Sequence, residues 1–184
     1  KEYKLHEIQD AMRACLGTNK NDTLDKQKKK YGHLCNPQDF LSRASELFHK
    51  LEFEEGIALM PYAKECLEYL KPKYRIALAS STRNELVIRQ LKNANVLEFF
   101  EVIVTGDMVL HSKPDPEIYL KACEELNIPP ENCIAIEDSP NGLKSAFFAG
   151  LNTIMVPDKI QPNEELNQFI WKKCDSLKNV MDML

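Results

Sequence analysis

Three clusters of polar residues in the second half of the chain follow short apolar runs, and each has groups that act on an anion. Ile76-Ala77-Leu78-Ala79 runs into Ser80, Ser81, Thr82, Arg83 and Asn84, a hydroxyl-rich turn before a helical stretch. Free backbone N–H groups and the positive end of a helix dipole make such a turn an anion site, to which hydroxyls add donors. Ser and Thr are also ordinary helix caps. Glu101 to Thr105 leads to Gly106-Asp107-Met108 and then to His111-Ser112-Lys113-Pro114-Asp115-Pro116. A lysine on a proline-stiffened loop is a localised charge suited to a phosphoryl group, although lone surface lysines are commonly just solvated. Cys133 to Ile136 ends in Glu137-Asp138. Adjacent carboxylates repel unless a cation sits between them, and an oxygen-only pair suits Mg²⁺. Asp138 or Ser139 could instead cap a helix opening at Pro140, which leaves Glu137 unexplained. Donors, a counter-charge and a metal pair at three successive strand ends are together what Mg²⁺-dependent phosphoryl transfer needs.

Sites of this kind lie beyond the carboxyl ends of strands in open parallel sheets. The pattern predicts strands over residues 75–79, 101–105, 133–137 and 152–156. Helices are expected over 84–92, 115–126 and 140–149, with a last one over 177–184. Short, continuously apolar strands between helices imply a parallel sheet covered on both faces. The first third reads as helix only. Tyr3, Leu5, Ile8, Ala11, Met12 and Cys15 form an apolar stripe that Gly17 stops. Lys28-Lys29-Lys30 reads as a solvated helix face, and Asn36-Pro37 opens a helix over 38–54 that ends at Gly56. This is an α/β core with a helical subdomain in front of it.

The 184 residues carry 28 acidic and 24 basic side chains, a net charge of −4, with 43% hydrophobic content. Disorder and a basic nucleic-acid footprint are excluded on that balance. No apolar run approaches the ~18–20 residues needed to cross a bilayer, so no membrane partner is expected. The six cysteines are scattered, with no CxxC and no His at ligand spacing, which argues against zinc. Free thiols in a reducing cytoplasm are expected, and a monomer.

In order and content, Ile76-Ala77-Leu78-Ala79-Ser80-Ser81-Thr82, Ser112-Lys113-Pro114-Asp115-Pro116 and Ile136-Glu137-Asp138-Ser139-Pro140-Asn141-Gly142, with Ala149-Gly150 closing the helix, resemble motifs of one family. It is the haloacid dehalogenase superfamily, especially its β-phosphoglucomutase-like subfamily. The resemblance runs from about residue 60 to the end of the chain. It implies a Rossmann-like parallel-sheet core over 57–184 and a helical cap domain over 1–56, with Leu16-Gly17-Thr18-Asn19-Lys20 as a substrate-facing turn. By the same resemblance Ser80 binds the transferring phosphoryl group and Lys113 neutralises it. Ser81 lends its N–H, and Thr82, Arg83 and Asn84 meet the substrate. Glu137 and Asp138 hold Mg²⁺, directly or through water, and Lys20, with Arg43 behind it, reaches down from the cap. The implied activity is a phosphatase for a small phosphomonoester such as a sugar phosphate, through an aspartyl-phosphate. A phosphomutase and a non-catalytic phospho-ligand binder are the alternatives.

Two departures stand out. The family's first motif, a strand ending in Asp-x-Asp-Gly that supplies the nucleophile, is absent from these residues, and Lys1 is not an initiator methionine. A core without that central strand should have two unpaired strand edges, and the chain as written should be inactive. The reading is therefore of an enzyme whose first strand lies upstream of residue 1. Tyr62 stands where the family has a glycine after Pro61, so the local turn should differ.

Overall fold

The computed structural model describes residues 5–13, 15 and 20–184. The start of the expected first helix and the turn Leu16–Asn19 lie outside the described residues. Helices α1 (Ile8–Arg13), α2 (Lys20–Tyr31) and α3 (Pro37–Glu55) make up the first third, as the patterning indicates. Asn36 caps α3 by accepting a hydrogen bond from the Gln38 N–H at 2.9 Å, and Gly56 ends it with a φ of 73°. Buried Gln27 bonds the Ala11 carbonyl, tying α2 to α1. Arg89 meets the buried Glu52 carboxylate at 2.7 Å, tying α3 to the core.

The core follows as α4 (Ala63–Leu70), β1 (Ala77–Ser80), α5 (Asn84–Asn93), β2 (Val102–Thr105), α6 (Glu117–Leu126) and β3 (Ile134–Glu137). It closes with α7 (Pro140–Phe148), β4 (Asn152–Met155), α8 (Glu164–Asn167), β5 (Lys172–Lys173) and α9 (Leu177–Met183). Every strand pair is parallel, as the helical crossovers require. The four expected strands form within a residue or two of their predicted limits, whereas α4, α8 and the two-residue β5 were not foreseen.

The strands divide into two sheets, β1–β2 and β3–β4–β5. The division has a visible geometry. On β1 the Ile76 carbonyl accepts from Glu101 on the β2 side, while the carbonyl of Ala79 turns the other way and meets Lys113. On β3 the Cys133 and Glu137 carbonyls accept from Asn152 and Val156, so the peptide groups of Ile134 and Ile136 face away from β4. Among the described residues no strand pairs with the facing edges of β1 and β3. Side chains bridge them instead. Ile118, Tyr119, Ala122 and Cys123 of α6 pack with Ala77, Ala79 and Val104 of one sheet and Ala135 of the other. On another side, Cys66 and Leu70 of α4 join Ile154, Val156, Cys174 and Val180. The first of these cores joins β1 to β3, and among the described residues no strand lies between them.

Tyr62 departs from the family's glycine at a position with a physical penalty. Its φ of 65° lies in the left-handed region, which costs a residue with a Cβ about 1–2 kcal/mol. Because the side chain is 45% exposed, little packing offsets that cost. Tyr62→Gly should therefore raise stability by ~1 kcal/mol in urea unfolding. An unchanged or lower midpoint would show that this turn is not strained.

Candidate active site

The carboxyl ends of β1 and β3 face one space, and one side chain reaches both. Lys113 is 6% exposed, and its ammonium donates to the Ala79 carbonyl at 3.1 Å and to Glu137 Oε1 at 2.5 Å. It also lies 4.8 Å from the centre of the Tyr119 ring. Tyr119 donates its hydroxyl to the same Glu137 oxygen. The second oxygen, Oε2, accepts from the Ser139 hydroxyl at 3.2 Å and from the Asp138 N–H at 3.3 Å. Burial alone would push the Glu137 carboxyl up. The Lys113 charge and these hydrogen bonds outweigh it and hold the group below its usual range.

Two local devices build this site. Ser139 is the N-cap of α7, its oxygen accepting from the Gly142 N–H at 3.1 Å while its hydrogen goes to Glu137. Thus Ser139 alone is the cap, and both carboxylates are left for other work. Gly142 is required by proximity: a Cβ there would fall on the Glu137 carboxylate. On the lysine loop, Glu117 at the start of α6 accepts from the backbone N–H groups of Leu110 and His111 at 2.8 and 2.7 Å, which fixes the approach to Lys113. His111 Nδ1 lies 2.9 Å from the same carboxylate. With Asp115 these two form a His–Asp–Glu cluster in which His111 is exposed and both carboxylates are half-buried, although the sequence shows no histidine at zinc-ligand spacing.

Asp138 is the exposed partner. Partial desolvation, the Glu137 charge and the Asp158 carboxylate push its carboxyl up. A carboxylate held among other negative charges at a strand end is stabilised by a hard divalent cation, and these oxygen donors fit Mg²⁺. Asp158, two residues past Val156, was not singled out from the sequence, although it sits just beyond a strand end like the others.

The hydroxyl turn lies on the same edge. Ser80 ends β1, and its oxygen accepts from the Thr82 N–H at 3.2 Å. Helix α5 takes Arg83 as its N-cap residue with no side-chain cap bond, so Ser80, Ser81 and Thr82 are not serving as its cap. The Asn84 N–H goes instead to Asp107, whose carboxyl the Thr105 hydroxyl first, and this N–H further, hold below its usual range. Gly106 sits so close to the turn that a Cβ would strike the Ser81 carbonyl. Arg83 is exposed and Asn84 half-buried. Ser80, Lys113, Glu137 and Asp138 thus come from three separate strand ends, with Ser81 and Thr82 beside Ser80.

The two basic residues of the helical first third are a different matter. Lys20 begins α2, and its side chain lies outside what is described. Arg43 pairs with Glu46 on its own helix at 3.0 Å. Among the described residues of the helical first third, Asp22 of α2 accepts a hydrogen bond from Ser112 on the lysine loop. An open cleft of about 550 Å³ flanks that contact, lined by Asp22, His111, Ser112 and Phe148. None of the strand-end groups lines it, so chemistry and not concavity locates the site.

A buried ion pair has a testable energetic signature, because removing one charge strands the other. Lys113→Met should cost about 3–5 kcal/mol in chemical denaturation, and adding Glu137→Gln should recover at least half of that loss. Additive losses would mean the two groups do not interact as a pair.

Residues 1–156 match the haloacid dehalogenase-like hydrolase family. A phosphorylated carbohydrates phosphatase of Thermotoga maritima is 40% identical over 106 residues, 57% of this chain and 49% of that protein. The crystal structure of CbbY from Rhodobacter sphaeroides in complex with phosphate superposes with a TM-score of 0.70 at 27% identity, covering 95% of this chain and 90% of that one. The β-phosphoglucomutase of Clostridium difficile shares the fold, with a TM-score of 0.75 at 21% identity over 94% of this chain and 77% of that one. The chain spans about half the length of the phosphatase it matches. It has the fold, the motif order and the family match of one group, and it belongs to the haloacid dehalogenase-like hydrolases.

Proposed function

We propose that the protein is a Mg²⁺-dependent phosphatase for small phosphomonoesters, sugar phosphates foremost, working through an aspartyl-phosphate. The observation that carries this reading is the buried Lys113 ammonium at the ends of β1 and β3, with exposed Asp138 beside its partner Glu137. The T. maritima relative is named for phosphorylated carbohydrates, which supports the substrate class.

In this reading Ser80 and the Ser81 N–H take two phosphoryl oxygens at the end of β1. Lys113 neutralises charge that builds on the transferring group, a role for which a preformed, water-excluded cation is well suited. Asp138 holds the Mg²⁺, with Glu137 behind it, directly or through water. Bound there, Mg²⁺ offsets the negative charge of substrate and carboxylates so that they can approach. Thr82, Arg83 and Asn84 line the substrate side, and Lys20 approaches from the cap. The domain division assigns residues 1–56 to the cap and 57–184 to the core. A nucleophilic carboxylate belongs near Ser80 and Lys113, on a strand that fills the space between β1 and β3. That strand would pair with the peptide groups of Ala79 and Ile136, and no carboxylate of the described residues occupies its place.

The test is phosphate release from a phosphomonoester panel by the full-length protein, with Mg²⁺ or with excess chelator. Release that requires Mg²⁺ supports the reading. Isomerisation of β-glucose 1-phosphate with a bisphosphate primer would instead make it a mutase, and binding without turnover a phospho-ligand module.

Two variants sharpen the assignment. Asp138→Asn should abolish Mg²⁺-dependent release while unfolding remains cooperative, and retained activity would remove it from the metal site. Lys113→Ala should lower kcat by at least ~10²-fold among molecules shown to be folded. A change in KM alone would make Lys113 a binding residue only. The 184-residue chain by itself should release no phosphate, and turnover by it would overturn the nucleophile placement.

A further inference from the structure

Away from the strand ends, two thiols meet. Cys123 lies on α6 and Cys133 immediately precedes β3, ten residues apart in the chain, with their sulfurs at 3.7 Å. The Cys123 S–H donates to the Cys133 sulfur, and the Cys133 S–H donates to the Pro129 carbonyl at 3.6 Å. All six cysteines carry free thiols. We propose that Cys123 and Cys133 are an oxidation site at which an organic or inorganic hydroperoxide forms an intramolecular disulfide, stapling α6 to the start of β3.

The two members differ in a way that orders the reaction. Cys133 is half-buried and open to a small oxidant, whereas Cys123 is 4% exposed. Burial first, then contact with Cys133, pushes the Cys123 thiol up to about 12, so it keeps its proton while Cys133 reacts. The Cys133 sulfur attacks the peroxide, the O–O bond breaks, an alcohol or water leaves, and the sulfur becomes a sulfenic acid. The Cys123 sulfur then attacks Cys133, the S–S bond forms and the S–O bond breaks. Water leaves with the Cys123 proton. Two thiols and one hydroperoxide thus give one disulfide, one alcohol and one water. The sulfurs must close by about 1.6 Å to reach bonding distance. Cys133 follows a short turn over Pro130–Asn132 and its carbonyl accepts from the Asn152 N–H, so the closure has to come from the two side chains and the turn, with that rung kept. The staple would join the helix that carries Tyr119 to the strand that carries Glu137.

The full-length protein, treated with hydrogen peroxide and then alkylated under denaturing conditions, tests this. Cleavage after Lys121 and Lys144 leaves both cysteines in one peptide. The expected result is that peptide two hydrogens lighter and unlabelled, at any protein concentration, with dithiothreitol restoring both labels. Cleavage after glutamate should then release two fragments joined by the disulfide. In Cys133→Ser, a half-buried position that tolerates a similar side chain, Cys123 should stay reduced and labelled. Full labelling after peroxide would overturn the proposal. So would a sulfinic acid at Cys133 beside a labelled Cys123, a disulfide between chains, or equal oxidation of Cys123 in the Cys133→Ser protein.

Discussion

The buried contact between the Lys113 ammonium and the Glu137 carboxylate is the constraint around which the site is arranged. Removing both charges from water costs several kcal/mol per ion, which pairing and hydrogen bonds must offset. The ammonium also donates to Ala79 of β1, and the carboxylate accepts from Tyr119 of α6, the Asp138 N–H and Ser139 at the head of α7. A well-packed apolar pair would hold the fold as well or better. The charges therefore speak for chemistry at the strand ends more than for stability. They also set the position of Asp138, which is left exposed one residue beyond Glu137, its carboxyl pushed up by partial desolvation and by the Glu137 charge.

Backbone topology explains why these groups converge. Parallel strands joined by helical crossovers all deliver their carboxyl ends to one edge, so residues far apart in the chain meet there. The same topology makes the space between β1 and β3 informative. Both strands turn peptide groups toward it, and Ile134 and Ile136 beside it are more than a third exposed. Lys113 reaches across that space with a long flexible cation from the loop before α6. Its bond to the Ala79 carbonyl meets a group that a strand ladder would otherwise pair.

Much of this was legible in the sequence, for identifiable reasons. A strand such as Val102–Thr105 is a run of β-branched residues whose character needs no tertiary context. The cap at Asn36-Pro37 and the polar ends of β1 and β3 are local signals. Tyr119 was not legible as a polar partner, because in sequence it belongs to the apolar stripe of α6 with Ala122, Cys123 and Leu126. Only the fold turns its hydroxyl to Glu137. Helix α4 offers just Cys66 and Leu70 as buried positions and starts from a left-handed tyrosine, so periodicity gives little warning of it. The strand Lys172–Lys173 is polar and two residues long, and exists by backbone pairing to Ile154 and Met155. The separation into two sheets was legible only as a consequence of the missing first motif. It is a property of pairing and leaves no mark on the strands themselves.

The most direct test is anomalous diffraction from crystals of the full-length protein grown with Mn²⁺ in place of Mg²⁺ and with a phosphate mimic. An ion at the Asp138 carboxylate, with the mimic between Ser80 and Lys113, is what the proposed site predicts. An ion held instead by His111, Asp115 and Glu117, with no mimic near Lys113, would contradict it.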